Sequence, residues 1–598
     1  MPTPKTARPP SRIEIQALSP LVDGGRYAVK ACVGDEVRVG ATIFRDGHEV
    51  LAGVLRTKAP GTSRWRDAPL RELGNDRWEA SFVPDSCGRW SWRVEAWVDP
   101  VASFQWELRR KVDAGQEDLT SELAEGAALF GRAVTAEEAL AASGNERRER
   151  TASPTFHVDV DRELARFGAW YELFPRSWGG FEGIERLLPR FAELGFDVLY
   201  LPPIHPIGRT NRKGRNNAER ARRGDPGSPW AIGSEEGGHA AIDPALGTLD
   251  DFERLVAAAR GHELEMALDY AIQCSPDHPW LREHPEWFHR RPDGTLKYAE
   301  NPPKRYQDIY NVNFDSEDWE GLWHALRDVM FFWMDRGVRI FRVDNPHTKP
   351  VPFWEWLIGE VRERDPEVIL LAEAFTRPAM MTMLGKAGFQ QSYTYFTWKN
   401  TKAELYELMG QLLEWSPFLR PNFFANTPDI LHAYLQRGGR PAFEARLVLA
   451  ATLSPAYGIY SGFESLEKVP FREGSEEYLD SEKYELKSRR LDGELLPLVQ
   501  RLNAVRREHR ALQRLENLVF LETASDDLIA YAKDDVVVVV NLDPFLPHEG
   551  LAILPAALGF PPAFPVHDLL TDEEHSWRIG RNYVRLEPGK SHVLHVAR

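Results

Sequence analysis

The chain has 598 residues and a formal net charge of −16, with 43% hydrophobic and 27% charged residues. A single hydrophobic core does not grow to this length, so several domains are expected. The acidic excess repels polyanions and argues against nucleic acid as a partner, and no apolar run approaches the ~20 residues of a membrane span. The N-terminal residues lack the apolar core of a signal peptide, so a cytoplasmic location is expected.

The N-terminal quarter of the chain is predicted to hold two parts. Residues 1–103 alternate short half-buried segments with Gly, Asp and Pro, which indicates a β-sandwich. Residues 104–150 are rich in Glu, Ala, Leu and Arg at helical spacing, which predicts a helical insert. This insert is either a plain linking domain or a dimer interface, and its residues alone do not separate the two.

The middle of the chain, residues 151–510, changes to an alternation of strand and helix patterns, which predicts a parallel sheet with crossover helices. Eight such units indicate a (β/α)8 TIM barrel. The predicted barrel strands are 169–174, 198–204, 265–272, 338–344, 368–373, 392–397, 422–426 and 458–461. A long segment between the third and fourth strands, residues 273–317, is predicted to be a functional loop insert. Residues 511–598 are predicted to form a C-terminal β-sandwich.

Two of the barrel strands end in a carboxylate. The apolar runs 338–343 and 368–372 are followed by Asp344 and Glu373. A strand that is buried on both faces does not carry a charge without a reason, and a barrel's active site lies where its strands end. Two carboxylates in that place predict glycosyl-transfer chemistry. Arg342 lies two residues before Asp344, so both side chains point to the same side of the barrel, and the guanidinium is expected to keep Asp344 ionised.

The motifs around these carboxylates resemble those of a known family. The segments 341–344 (FRVD), 372–374 (AEA) and 426–429 (NTPD) resemble the catalytic segments of the α-amylase superfamily, glycoside hydrolase family 13. The flanking segments 344–350 (DNPHTKP), 273–280 (QCSPDHPW) and 201–208 (LPPIHPIG) are similar to those of the α-1,4-glucan:maltose-1-phosphate maltosyltransferases. The resemblance covers residues 169–598, and the N-terminal sandwich and helical insert also fit it.

The chain departs from ordinary amylases at two places. The Asn-His of the first amylase segment is replaced by Gln273-Cys274, and the His before the third carboxylate is replaced by Pro428. In amylases these side chains hold the sugar ring, so both changes weaken the interpretation as a hydrolase. Both agree with the maltosyltransferase pattern.

The resemblance implies a role for each catalytic residue. Asp344 would be the nucleophile, Glu373 the general acid and base, Asp429 the residue that stabilises the transition state, and Arg342 the partner of the nucleophile. The expected substrates are α-maltose 1-phosphate and an α-1,4-glucan, with maltosyl transfer to the non-reducing end, retention at the anomeric carbon and release of phosphate. By the same resemblance, the substrate-binding residues are expected to be Lys213, Gln273, Asn301, Lys304, Tyr306, Asn345, Lys483 and Tyr484.

Further expectations concern cofactors, partners and rival functions. No cofactor and no essential metal are expected, because His278 and His347 lack an accompanying cluster with ligand spacing. The resemblance implies a homodimer. The same carboxylates would also serve an α-amylase-type hydrolase or a trehalose-forming isomerase. A non-catalytic glucan-binding subunit is the remaining alternative, although such relatives commonly lose the nucleophile, and Asp344 is present.

Overall fold

The computed structural model describes residues 10–301 and 304–597, and the chain divides into two compact units, Met1–Arg162 and Glu163–Arg598. Within the described residues, no helix combines the length and the apolar character needed to cross a bilayer.

The first unit contains two antiparallel-rich sheets and three helices. Its elements are β1 (Ile13–Ser19), β2 (Val29–Cys32), β3 (Val37–Arg45), β4 (Leu51–Lys58), β5 (Arg66–Pro69), β6 (Arg71–Gly74), β7 (Arg77–Phe82), β8 (Gly88–Val98), α1 (Pro100–Asp113), α2 (Thr120–Phe130), α3 (Ala136–Ala141), β9 (Arg148–Ala152) and β10 (Phe156–Asp161). One sheet has the order β1-β3-β7-β6 and the other β2-β10-β8-β4-β5, with β9 paired to β8.

The helices interrupt the sheets of this unit. After α3 the chain returns to the second sheet, where β9 pairs antiparallel with β8 and β10 lies between β2 and β8. The predicted barrel segment begins at residue 151, whereas the strands up to Asp161 belong to the sheets of the first unit. The physical reason is that the buried residues Val158 and Val160 pair with β8, which lies about 70 residues upstream, on the other side of the three helices.

The second unit begins with the barrel region. Its strands are β11 (Gly168–Glu172), β12 (Val198–Leu201), β13 (Glu265–Tyr270), β14 (Gln273–Cys274), β15 (Tyr298–Asn301), β16 (Lys304–Asn311), β17 (Ile340–Val343), β18 (Ile369–Ala372), β19 (Gln391–Tyr393), β20 (Pro421–Phe424) and β21 (Ala456–Tyr460). A closed parallel barrel is formed in the order β11-β12-β13-β17-β18-β19-β20-β21, which confirms the predicted TIM barrel. Each strand is buried on both faces, so the barrel strands read as apolar runs in the sequence.

Helices cover the outside of the barrel. They are α4 (Gly180–Glu185), α5 (Leu188–Glu193), α6 (Leu249–Gly261), α7 (Trp280–Glu283), α8 (Trp319–Asp335), α9 (Val351–Arg364), α10 (Pro378–Ala387), α11 (Lys402–Trp415), α12 (Ala433–Leu453) and α13 (Leu496–Glu508). The short helix α7 lies in the loop insert, where β14, β16 and β15 form a small antiparallel sheet. This sheet places its strands beside the carboxyl ends of the barrel strands.

The C-terminal region of the second unit is an eight-stranded antiparallel arrangement. Its strands are β22 (Leu518–Thr523), β23 (Leu528–Lys533), β24 (Val536–Asn541), β25 (His548–Leu554), β26 (Ala563–Asp568), β27 (Glu574–Arg578), β28 (Gly580–Leu586) and β29 (Ser591–Val596), in the order β27-β26-β29-β24-β23-β22-β25-β28. Alternate residues of β24 belong to two separate apolar cores, because Val538 packs with the barrel helices and Val539 packs within the C-terminal strands.

Candidate active site

The barrel interior changes from apolar to charged along its strands. Alternate side chains of a barrel strand point inward, and the inward residues Trp170, Ala267, Ile340 and Leu371 form a buried apolar layer. One step closer to the carboxyl ends, the same inward positions hold four charged residues, Glu172, Asp269, Arg342 and Glu373. The period of two therefore places these charges in one layer, at the end where TIM barrels carry their active sites.

Asp344 and Glu373 follow adjacent strands and lie side by side. Val343 of β17 pairs with Ala372 of β18, and the next residue in each strand is the carboxylate. The backbone amide of Asp344 donates to the carbonyl of Tyr270 at 3.1 Å, and that of Glu373 donates to the carbonyl of Val343 at 3.0 Å. Strand hydrogen bonds therefore fix the backbone of both residues.

One guanidinium joins the carboxylates of this layer. Arg342 Nη1 donates to Asp344 Oδ1 at 2.8 Å and to Asp269 Oδ2 at 3.0 Å. Arg342 Nη2 forms an ion pair with Glu373 Oε1. Because both catalytic candidates bind the same rigid fork, they are held close together, as a double displacement at one carbon requires.

Burial sets the protonation of this layer. It raises the pKa of Glu373 well above the ordinary glutamate value, against the lowering effect of Arg342. Burial likewise raises the pKa of Asp269 to about 7 and the pKa of Glu172 well above its usual range. A Glu373 that keeps its proton near neutral pH can act as a general acid.

Gln273 and Asn345 contact the predicted nucleophile. Gln273 Nε2 donates to Asp344 Oδ2, and Asn345 Nδ2 lies 3.4 Å from the same oxygen. Asn345 has left-handed backbone angles, φ 42° and ψ 53°, which Asn tolerates better than most residues. This conformation points the Asn345 backbone N–H at Glu373 Oε2, 3.2 Å away.

Asp429 lies across the site with Lys483. It follows β20 in a tight turn, where its backbone N–H donates to Thr427 Oγ1 at 3.3 Å, and its side chain remains half exposed. Lys483, which is buried, forms an ion pair with Asp429. The two charges compensate each other in this arrangement, so Lys483 has a carboxylate partner before any ligand binds.

These residues surround a cavity of about 650 Å³. Eight of the predicted residues line it, namely Asp344, Glu373, Asp429, Gln273, Asn345, Lys483, Tyr484 and Tyr306. Its other walls include Trp230, Phe375 and Trp398, which offer flat apolar faces of the kind that sugars stack on. The cavity is large enough for a disaccharide-sized ligand.

The remaining predicted residues lie elsewhere or outside the described side chains. Lys213 does not line the cavity; its buried amine lies 2.6 Å from Gln307 Oε1 and 3.5 Å from the carbonyl oxygen of Arg305. Asn301 ends β15 and Lys304 begins β16, and the side chains of both lie outside the described residues. Their assignment to substrate binding stays a prediction.

The structure adds residues that the motifs did not point to. Asp269 shares Arg342 with the nucleophile candidate, and Tyr200 donates to Asp269 Oδ2 at 2.6 Å. Asp308 and Lys349 line the cavity, and Lys349 Nζ lies 3.3 Å from the carbonyl oxygen of Asp344. The signal for Asp269 was its period-two spacing from Ala267 in a buried strand, whereas nothing in the sequence placed Asp308 against the barrel.

A buried cluster next to the cavity has the residue types of a metal site. His239, His278 and Cys274 bring their ligand atoms within 4.8 Å of one another. However, the Trp280 N–H donates to His278 Nδ1, so the proton of His278 is on Nε2 and donates to His239 Nδ1, whose Nε2–H donates to the carbonyl of Ala271. Every ring nitrogen of this relay has a partner, which leaves no lone pair for an ion.

Solved structures with the same fold include α-amylases. A maltogenic α-amylase from Thermotoga neapolitana superposes with a TM-score of 0.58 at 19% identity, over 73% of this chain and 100% of that chain. An α-amylase from Lactobacillus plantarum superposes with a TM-score of 0.56 at 21% identity, over 73% of this chain and all of that one. These similarities establish the fold.

Two family models match the two ends of the chain, and curated relatives match nearly the whole of it. Residues 11–169 match the model described as α-1,4-glucan:maltose-1-phosphate maltosyltransferase, domain N/S, and residues 520–597 match the model described as GLGE, C-terminal. The chain is 52% identical to α-1,4-glucan:maltose-1-phosphate maltosyltransferase 2 of Streptomyces coelicolor, over 98% of this chain and 96% of that protein. It is 46% identical to the maltosyltransferase of Mycolicibacterium smegmatis, over 98% and 97%. The chain therefore belongs to the α-1,4-glucan:maltose-1-phosphate maltosyltransferase family.

Proposed function

We propose that this protein is a retaining maltosyltransferase that moves a maltosyl unit from α-maltose 1-phosphate to the non-reducing end of an α-1,4-glucan and releases inorganic phosphate. The observation that carries the proposal is the fork of Arg342, which holds Asp344 and Glu373 together at the floor of a 650 Å³ cavity. The maltosyltransferase names of the relatives supply the donor and the acceptor.

In the first half-reaction, Asp344 attacks the anomeric carbon of the donor. A bond forms between an Asp344 carboxylate oxygen and that carbon, and the bond to the phosphate oxygen breaks, so phosphate leaves with the electron pair. Glu373 gives its proton to the departing oxygen, so the donor dianion leaves as hydrogen phosphate and Glu373 is left ionised for the next step. Arg342, Gln273 and Asn345 orient the Asp344 carboxylate for this attack.

In the second half-reaction, Glu373 acts as the general base. The 4-hydroxyl of the glucan attacks the anomeric carbon, its proton moves to Glu373, and the ester to Asp344 breaks. The Asp344 charge raises the pKa of Glu373 in the free enzyme. Because esterification removes that charge, Glu373 becomes the stronger acid at the stage when it must be ionised to accept a proton.

The donor phosphate requires partners inside the cavity. A phosphate dianion taken out of water needs cations or N–H and O–H donors. Asn345 and Tyr306 offer donors, Lys349 offers a buried cation that lines the cavity, and Lys304 is predicted to join them. Asp429, paired with Lys483, is proposed to grip hydroxyls of the donor ring and to favour its distortion toward the transition state.

The product pattern tests this function. Incubation with α-maltose 1-phosphate and maltohexaose is expected to lengthen the acceptor by two glucose units at a time, which mass spectrometry of the oligosaccharides would resolve. Release of glucose or maltose from the acceptor without the donor would instead support the α-amylase-type hydrolase. Conversion of maltose to trehalose would support the isomerase.

The oligomeric state and the location are part of the proposal. The protein is proposed to be a cytoplasmic homodimer that associates through the helical insert, residues 104–150. Trp106 and Val112 on α1 are large apolar side chains that are more than a third exposed, and such residues favour an interface. Light scattering should give a dimer mass for the full chain and a monomer mass for the double variant Trp106→Glu, Val112→Glu. A monomer mass for the unaltered chain would reject the dimer.

A further inference from the structure

A strongly basic loop lies beside the active site of this acidic chain. Between residues 209 and 223, seven side chains are Arg or Lys and one is acidic, although the whole chain carries a net charge of −16. The loop follows β12 and therefore emerges at the carboxyl edge of the barrel, where the catalytic candidates lie. The positive charge of this loop attracts anions locally, whereas the negative charge of the rest of the chain repels them.

The basic loop forms one wall of a cleft of about 420 Å³. The cleft is lined by Arg209, Asn211, Arg212, Glu219, Arg220, Ala221 and Gln307. Gln307 stands between Tyr306 and Asp308 in β16, and both of these neighbours line the active-site cavity. Successive side chains of a strand point to opposite faces. The cleft and the active-site cavity therefore lie on opposite faces of β16.

One arginine of the cleft is half-buried and makes no contact ion pair with a described carboxylate. Arg212 Nε and Nη2 donate to the carbonyl oxygens of Gly208 and Ile207, at 2.8 and 2.9 Å, and no carboxylate of the described residues forms an ion pair with Arg212. Asp243, Asp277 and Glu236 act on this charge through space, but the hydrogen bonds that the guanidinium makes go to neutral groups. This arrangement favours an anion in the cleft.

The outer arginines of the loop are also uncompensated. Arg220 lines the cleft, and Arg222 and Arg223 follow it in the chain. All three are exposed, and they make no ion pair with a carboxylate in the part of the chain that the structure describes. Arg209, by contrast, pairs with Glu236 at 2.6 Å. Planar guanidinium groups bind phosphate oxygens in pairs, so a cluster of them suits a phosphate dianion better than a carboxylate or a halide.

We propose that this cleft is an anion site that captures the phosphate dianion of the sugar-phosphate donor before the donor enters the active-site cavity. The inference rests on the proposed function for the identity of the donor. The phosphate that the transfer releases has the same chemistry, so it binds the same cleft on its way out.

The test compares a charged donor with a neutral one. In the triple variant Arg220→Gln, Arg222→Gln, Arg223→Gln, kcat/KM for α-maltose 1-phosphate should fall about tenfold or more at low salt and approach the unaltered protein as salt is raised. Turnover of the neutral donor α-maltosyl fluoride should not change. The variant Arg510→Gln, Arg514→Gln, Arg581→Gln alters the net charge equally, at exposed positions away from the cleft, and should stay within about twofold.

The outcomes separate this inference from the proposed function. Equal losses with both donors, equal losses in the two triple variants, or no loss with the charged donor would overturn the capture site. If the unaltered protein releases no phosphate from the donor, the proposed function fails, and calorimetric titration with inorganic phosphate then tests the cleft by itself. Phosphate binding that the loop variant loses would support the anion site. Phosphate binding that both triple variants keep equally would overturn the anion site. The single variant Arg220→Gln should show a smaller loss of the same kind if the loop variant does not fold.

Discussion

At the scale of single residues, the site depends on one guanidinium shared by three carboxylates. Arg342 binds Asp344, Asp269 and Glu373, and no other described cation contacts more than one of them. The motif spacing predicted the pair of Arg342 with Asp344, because residues two apart on a strand share a face. The spacing did not predict that Glu373 binds the same guanidinium, because the sequence of one strand does not determine its register with the neighbouring strand.

Arg342→Lys tests the role of the fork. An ammonium group has no planar pair of donors, so it cannot hold both carboxylates in fixed positions. We expect kcat to fall by about 10² or more while the protein stays folded. Arg339→Lys, on the same stretch of chain but in a partly exposed pair with Asp365, is the matched control and should keep most of the activity. Similar activities for the two variants would contradict the assigned role.

Glu172 gives a prediction on stability and pH. Burial raises the pKa of Glu172 in the folded protein, whereas the unfolded chain releases this proton near pH 4. The folded state therefore binds more protons, and its stability is greatest below the unfolded pKa and falls as pH rises. Glu172→Gln removes this loss, so thermal unfolding at pH 8 should show a higher Tm than the unaltered protein, with the difference smaller at pH 4. A lower Tm for the variant at pH 8 would show that Glu172 is ionised and paired.

At the scale of elements, the local sequence pattern predicted where the strands lie better than it predicted which strands pair with one another. The eight predicted barrel strands overlap the observed ones. Strands of a parallel barrel are buried on both faces, so each appears in the sequence as a short apolar run that is easily recognised. The hairpin of β15 and β16 was expected only as a long functional loop, since its residues alternate weakly. The position of this hairpin decides which side chains face the cavity. The sequence therefore could not predict that Asp308 lines the cavity or that Lys213 contacts Gln307 instead of lining it.

Helix α6 offers a test of an element away from the chemistry. The Asp251 N–H donates to Thr248 Oγ1 at 3.2 Å, and the Thr248 N–H donates to Asp251 Oδ2 at 2.8 Å, and these two bonds form a capping box at the start of α6. Thr248→Ala should lower the free energy of unfolding by about 1 kcal/mol and leave kcat unchanged. Thr248→Ser should keep most of that stability. Chemical denaturation would measure both, and an effect on kcat larger than on stability would contradict a purely structural role.

At the scale of the whole molecule, composition and charge excluded some classes of protein but did not determine how the domains are built. The acidic net charge argued against polyanions, yet the loop 209–223 concentrates positive charge beside the proposed donor site, and only the fold shows that the two are neighbours. The return of β9 and β10 to the first unit was also invisible in the sequence, because strand pairing across three helices leaves no local trace.

Phosphate release reports both the proposed transfer and the role of Asp344 as its nucleophile. Inorganic phosphate would be measured from α-maltose 1-phosphate, with and without maltohexaose, for the unaltered protein and for Asp344→Ala. Release is expected to depend on the acceptor and to fall by about 10⁴ or more in the variant, because the nucleophile is lost. Absence of release from the unaltered protein, or release that Asp344→Ala retains, would contradict this expectation.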